Sequence, residues 1–145
     1  MCIRDSVYHH HMNSIGEQPD AIRSIMSATD PEAVKMLFDT AHYQQGGGDP
    51  VEGIRTYRDR IALVHLKDLE APVPDTAGSR PASDRFVELG RGRVDLRGVV
   101  AALHDIRFGG WLVVELDRVP DPARTPKESA VISKDYLERR LGLPV

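Results

Sequence analysis

Three short apolar runs in this 145-residue chain each close on a side chain that can bind a metal: MLFD on Asp39, IALVH on His65 and WLVVE on Glu115. Two carboxylates and one imidazole suit a divalent ion, and such donors fit manganese, cobalt, magnesium or zinc to varying degrees. Runs of four or five apolar residues without polar alternation fit strands buried on both faces, as in parallel sheets. In such sheets the functional groups gather where the strands finish, so donors at three strand ends can converge on one point. Glu115 follows four apolar residues, and a carboxylate buried there costs on the order of several kcal/mol unless a cation or donors offset it.

The composition, 41% hydrophobic and 28% charged, is that of an ordinary globular domain. No apolar stretch approaches the roughly 18 residues that span a bilayer, so no membrane role is expected. The net charge of −3, with acids and bases interspersed, provides no basic stripe for a phosphate backbone, which argues against nucleic acid as a partner. The only cysteine, Cys2, has no partner for an intrachain disulfide, and a cytoplasmic setting is expected. The opening MCIRDS shows neither a signal-peptide core nor a strand or helix period. Residues 1–6 are therefore read as a leader foreign to the fold, with the domain over 7–145.

The donors need elements to place them. A strand is expected over Val7–His11, then a helix from Pro19 to Ala28 that ends at Thr29, Asp30 and Pro31. A second strand, Val34–Asp39, leads through Gly46–Gly48 to a helix opening on Asp49 and Pro50, a good N-cap and first-turn pair. The third strand, Ile61–Leu66, precedes a loop from Leu69 to Arg93 that holds Pro72, Pro74, Gly78 and Pro81. Leu96, Val99, Val100 and Leu103 then mark a helix to Ile106, which Gly109-Gly110 separates from the fourth strand. A proline-rich stretch, 120–126, leads to a last amphipathic helix through Ile132, Tyr136 and Leu137.

Repeated strand–helix units predict an α/β fold with parallel pairing. Neither a G-x-G-x-x-G turn nor a P-loop supports a nucleotide-binding open sheet, which favours a barrel. A closed eight-stranded barrel takes about 250 residues. The chain is accordingly expected to be the C-terminal half, about four βα units, of a (β/α)8 barrel.

The segments YHHHMNS (8–14), LFDTAH (37–42), VHLKD (64–68), LGRGRVD (89–95) and GGWLVVELDR (109–118) resemble, in content and order, the xylose-isomerase-like TIM barrels of the sugar phosphate isomerase/epimerase superfamily. The YHHH segment and the GWLVVE close are most similar to its inosose dehydratase branch, whose members remove water from a keto-inositol. The resemblance implies a divalent metal held by Glu, Asp, His and Glu from successive strand ends. It assigns Asp39, His65 and Glu115 as ligands. The first glutamate has no match here, and His11 is expected as the fourth ligand, with Glu17 the other nearby candidate.

The bland alternatives are concrete. Asp39 alone suits a turn cap, and His65 alone a hydrogen-bonded core histidine. The run His9–His11 could be the tail of an affinity tag, although Tyr8 and the following MNS do not fit one. In a strand His9 and His11 would share a face, one near the ion and the other on a substrate hydroxyl. His9 and, by resemblance, His42 are expected to contact substrate. Lys67 and Asp68 could be a surface ion pair of little worth, but the resemblance makes Lys67 a substrate or proton-relay group. Gly90-Arg91-Gly92-Arg93 reads as a turn placing the loop over the site, and His104 as a surface residue.

The implied chemistry is metal polarisation of a ketone and its neighbouring hydroxyl, which stabilises an enediolate. Glu115 is the expected base and Lys67 the expected acid or relay, acting on a small sugar or inositol by isomerisation, epimerisation or dehydration. A second reading is an incomplete chain without activity of its own, whose open edge pairs with another copy as a homo-oligomer. A phosphodiesterase of the same superfamily would need more ligands and a basic surface.

Overall fold

The computed structural model describes residues 6–70 and 86–145. Along them run β1 (Ser6–His9), α1 (Pro19–Ser27), β2 (Val34–Asp39), α2 (Thr40–Gln45), α3 (Pro50–Thr56), β3 (Ile61–Leu66), β4 (Asp68–Leu69), β5 (Phe86–Val87), α4 (Leu96–Asp105), β6 (Trp111–Val114) and α5 (Pro126–Tyr136), with a π-helical turn over Leu137–Leu141. The strands form a parallel four-stranded sheet, ordered β1-β2-β3-β6, and a separate antiparallel pair, β4-β5. In the larger sheet each strand lies beside its predecessor and the order never reverses. That is the topology of a barrel wall rather than of a doubly wound sheet.

The expectation of a C-terminal half barrel in about four βα units is corrected here. Among the described residues the fold is an incomplete (β/α) barrel of six strands and five α-helices, and it runs through almost the whole chain. The added elements are short ones that periodicity does not mark: α2, directly after β2, and the two-residue strands β4 and β5. Those strands are the ends of the proline-rich loop expected between Leu69 and Arg93. The rest of that loop, 71–85, and the leader residues 1–5 lie outside the described residues.

Local chemistry accounts for the element boundaries. Pro19 opens α1, which buries Ile22 and Met26 one turn apart. Beyond its end, the Arg60 guanidinium donates to the Met26 and Val34 carbonyls and to Thr29 Oγ1, tying the helix to the start of β2. Asp49 caps α3 by accepting from the Val51 and Glu52 amides, and Asp95 caps α4 through Gly98. Thr125 and Glu128 form a reciprocal capping box on α5, with Pro126 in its first turn. Of the apolar stripe expected on α5, Leu137 is buried in the core at the end of the helix, Tyr136 packs against that core and Ile132 is half-buried, and the helix buries two serines besides. It docks through Ser129 and Ser133, whose hydroxyls bond buried Glu88 and the Leu89 amide.

One face of the sheet packs against helices. Met36, Phe38, Val64 and Leu66 point that way and join Ile22, Ile54, Val99 and Leu103 in the main core, each side chain contributing about 1.5–3 kcal/mol. Strand alternation and register put Val7 and His9, Leu37 and Asp39, Leu63 and His65, and Trp111 and Val113 on the other face. Its donors sit at the C-terminal ends, and towards its N-terminal end Trp111 is 80% exposed.

Candidate metal centre

Strand pairing brings two of the donors together. Asp39 and His65 are direct partners in the β2-β3 ladder, and His65 pairs in turn with Val113 of β6. Two residues beyond Val113, Glu115 donates its amide to the Leu66 carbonyl, which keeps it in line with the sheet. The fourth position, at the end of β1, is His9. One ligand atom each from His9, Asp39, His65 and Glu115 lies within 4.8 Å of the other three.

These atoms have no hydrogen-bond partner although all are buried: His9 Nε2, Asp39 Oδ2, His65 Nδ1 and Glu115 Oε2. They face one another instead, at 2.5 Å for His65–Glu115, 3.7 Å for His65–Asp39 and 3.8 Å for His9–Asp39. Orphaned buried polar atoms are costly, and four aimed at one point fit a cation that would take a bond from each. Two imidazoles and two carboxylates are a donor set for manganese, cobalt, iron or zinc. The cluster is a divalent-metal site in its chemistry, and the metal's identity is left open by those donors.

Protonation agrees with the contacts. Asp39 and Glu115 beside His65 push its imidazole up to about 9, against the effect of burial. Burial raises the Asp39 carboxyl, but His65 and His9 outweigh it and hold the group well below the usual carboxylate range. Glu115 is lowered chiefly by His65. In this arrangement the imidazolium between two carboxylates supplies the positive charge that a metal would supply.

Asp39 is fixed at both ends. Its Oδ1 caps α2 by accepting the His42 amide at 2.8 Å, and its own amide donates to His10 Nε2 at 3.2 Å. His10 is fully buried, and burial lowers its pKa to about 3, so it acts as a neutral acceptor. Only Oδ2 of Asp39 is left for the centre.

Lys67, expected at a strand end, is completely buried behind the cluster. Thr40 Oγ1 fixes its backbone by accepting its amide (3.0 Å) and donating to its carbonyl (2.6 Å). Its Nζ lies 2.7 Å from Asp117 Oδ1, 3.5 Å from Glu115 Oε2, 3.4 Å from His42 Nε2 and 4.2 Å from the centre of the Phe86 ring. The surface-pair reading of Lys67 and Asp68 is thereby corrected. Asp68 is also buried and accepts four backbone amides, from Leu69, Gly90, Gly92 and Val94. That folds the Gly90–Arg93 turn against the end of β3, where Gly90 takes a φ of +81° and a Cβ on Gly92 would lie 2.2 Å from Asp68 Oδ1.

The histidine run is divided. His9 supplies the fourth donor. His11 is exposed, with its ring against that of His42 (3.8 Å between centres) and its Nδ1 bonded to the Met12 carbonyl. Glu17 is engaged with the Asn13 amide. Neither stands in the four-atom cluster. β1 stops at His9 and the chain turns at Asn13, whose φ is +58°, so the strand alternation that would have put His11 beside His9 does not extend that far. His42 is buried, its pKa lowered to about 4 by that burial, and it accepts the Met12 amide on Nδ1. His10 and Asp117 carried no expectation. For Asp117 the one available signal is its position two residues after Glu115; for His10 there is none short of the fold.

A family model described as xylose isomerase-like TIM barrel matches residues 7–138. The match takes in nearly the whole chain, so the resemblance is not confined to a C-terminal half, and that part of the expectation is withdrawn. Among curated proteins the chain is similar to inosose dehydratase of Geobacillus kaustophilus (strain HTA426), 35% identical over 92% of this chain and 45% of that protein. The inosose dehydratase of Lacticaseibacillus casei is 33% identical over 95% and 48% respectively. The chain spans about half the length of these relatives. Among solved structures it is similar to the IOLI protein with a bound zinc atom (TM-score 0.70, 20% identity, 94% of this chain and 48% of that one). A probable 3-DHS dehydratase, AsbF, from Bacillus anthracis superposes with a TM-score of 0.69 at 18% identity, over 92% and 49%. At those identities the structural likeness concerns the fold. No helix among the described residues is long and apolar enough to cross a membrane.

Proposed function

We propose, because the chain belongs to the xylose isomerase-like TIM barrel family, that its four-donor cluster is the metal centre of an enzyme acting on a keto-sugar or keto-inositol, with dehydration of an inosose the leading reaction. The observation that carries this reading is the convergence of His9, Asp39, His65 and Glu115 through four buried atoms that no hydrogen bond satisfies. Similarity to inosose dehydratases favours dehydration over isomerisation or epimerisation. The lone cysteine suits a cytoplasmic setting.

A bound divalent cation would supply Lewis-acid polarisation of the ketone and its neighbouring hydroxyl. The chain's own residues do the rest. Glu115, the least buried carboxylate of the cluster, takes the proton from the carbon beside the ketone. Lys67 Nζ gives a proton to the departing β-hydroxyl, which leaves as water as the carbon–carbon double bond forms. The 3.5 Å between Lys67 Nζ and Glu115 Oε2 lets the proton return from carboxyl to amine and restores the starting state. The exposed His11 contacts substrate hydroxyls at the rim, and the buried His42 ring behind it holds it in place.

The test is calorimetric Mn2+ or Co2+ titration of the protein and of H65A, together with inosose turnover followed by ultraviolet absorbance of the enone product. One site per chain in the wild type, lost in H65A, and metal-dependent absorbance growth are expected. A wild-type protein that binds neither ion overturns the reading.

A further inference from the structure

Asp117 lies outside the four-donor cluster, yet it makes the closest contact to the one buried ammonium beside it. Lys67 Nζ stands between two carboxylates, 2.7 Å from Asp117 Oδ1 and 3.5 Å from Glu115 Oε2. The second of those oxygens is one of the four orphaned atoms aimed at the centre. Lys67 itself is fully buried, its backbone pinned by Thr40 and its side chain laid over Phe86. Its ammonium therefore cannot retreat to solvent without breaking this packing. The room for movement that remains is between the two carboxylates.

We propose that Asp117 is a positioning residue that holds the Lys67 ammonium off Glu115, keeping the Glu115 oxygen free for a divalent cation. An ammonium and a metal ion compete for the same lone pairs. A cation seated on Glu115 would repel an incoming one, and the closer bond to Asp117 gives that cation another place to rest. The arrangement also explains why a lysine is tolerated beside a metal centre at all: its charge is neutralised by a carboxylate that is not a ligand. Outer partners of metal ligands change metal affinity by about 10–100-fold when they are replaced. Here the partner acts through a competing cation rather than through the ligand.

The inference rests on the metal-centre reading above, and the experiment separates the two. Mn2+ affinity is measured by competition with a fluorescent chelator for the wild type, D117N, D117E, K67M and K67M/D117N, each checked for folding by circular dichroism. With the carboxylate charge gone, D117N should lose about tenfold in affinity, on the scale of outer-partner effects. D117E, which keeps the charge, should stay within about threefold, well inside that range. K67M should bind at least as tightly as wild type. In K67M/D117N the loss should disappear, because the competing ammonium is absent. Folded D117N that binds Mn2+ like wild type overturns the proposal, as does a tenfold deficit that persists in K67M/D117N. If D117N does not fold, D117E and the double variant decide: a tenfold loss in either one overturns it, and near wild-type binding in both upholds it. Wild-type protein that takes up no Mn2+ would instead remove the metal-centre reading.

Discussion

Asp39 and His65 face each other across two adjacent parallel strands, with Asp39 Oδ2 3.7 Å from His65 Nδ1. The same ladder that holds the sheet together therefore sets the spacing of the donors, and the geometry of the centre is inherited from backbone register. Pre-set donors of this kind bind an ion without a large ordering cost.

Substituting Asp39 should separate two roles of one side chain. D39A removes a donor and should weaken Mn2+ binding by about a hundredfold or more, beyond the range for outer partners. It also removes the cap on α2, which costs about 1 kcal/mol. D39N keeps an oxygen for the His42 amide and should lose the metal while retaining most of the stability. Metal titration and thermal unfolding of the two variants measure this; equal loss of stability in both would contradict it.

Metal uptake should depend on pH through His65. Its imidazole is raised to about 9 by Asp39 and Glu115, whereas a ligand imidazole must be neutral. Below pH 9 binding displaces a proton, so apparent affinity should rise about tenfold per pH unit between 7 and 8. Without metal the sign reverses. The folded value lies above the ordinary 6.5, so the contribution to stability is complete below about 6.5 and is lost as pH rises through about 9. Calorimetry in buffers of different ionisation enthalpy tests the first part, and chemical unfolding at pH 7 and pH 9.5 the second. An affinity that does not change with pH would show that His65 enters the centre already neutral.

His10 should matter through the backbone. H10F fills the space but leaves the Asp39 amide unpaired, at a cost of about 1–3 kcal/mol. H10Q can still present an oxygen and should cost less. Urea unfolding of both ranks them, and H10F as stable as wild type would show that the 3.2 Å contact contributes nothing.

Asp68 anchors the Gly90–Val94 turn by accepting backbone amides on both carboxylate oxygens. D68A would strip the acceptor from four amides at once and should destabilise the protein by about 3 kcal/mol or more. D68N retains one oxygen and should fall between. A shift in unfolding midpoint corresponding to less than about 1 kcal/mol would mean that water replaces the carboxylate readily.

β2 and β3 are fully legible, to the residue, because each holds a run of three or four apolar residues, MLF or IALV, that runs straight into a polar donor, Asp39 or His65. The three donors at strand ends were legible for the same reason. α2 was not, since six residues with no apolar period start directly from Asp39, whose capping oxygen and metal-facing oxygen belong to one carboxylate. β4 and β5 are not legible, because strands of two residues leave no periodic pattern. The choice between His9 and His11 depends on where β1 stops, four residues before the left-handed Asn13, and no apolar period marks that point. Asp117 and His10 act on residues distant in sequence, Lys67 and Asp39, and such contacts exist only after folding.

Trp111 is the only tryptophan in the chain, and it lies on the same sheet face as the donors, two residues along β6 from the partner of His65. Its indole is thus a native optical reporter for that face. Co2+ arriving at the centre should quench its emission and a diamagnetic ion such as Mg2+ should not, so occupancy can be followed in the unlabelled protein by the light it emits.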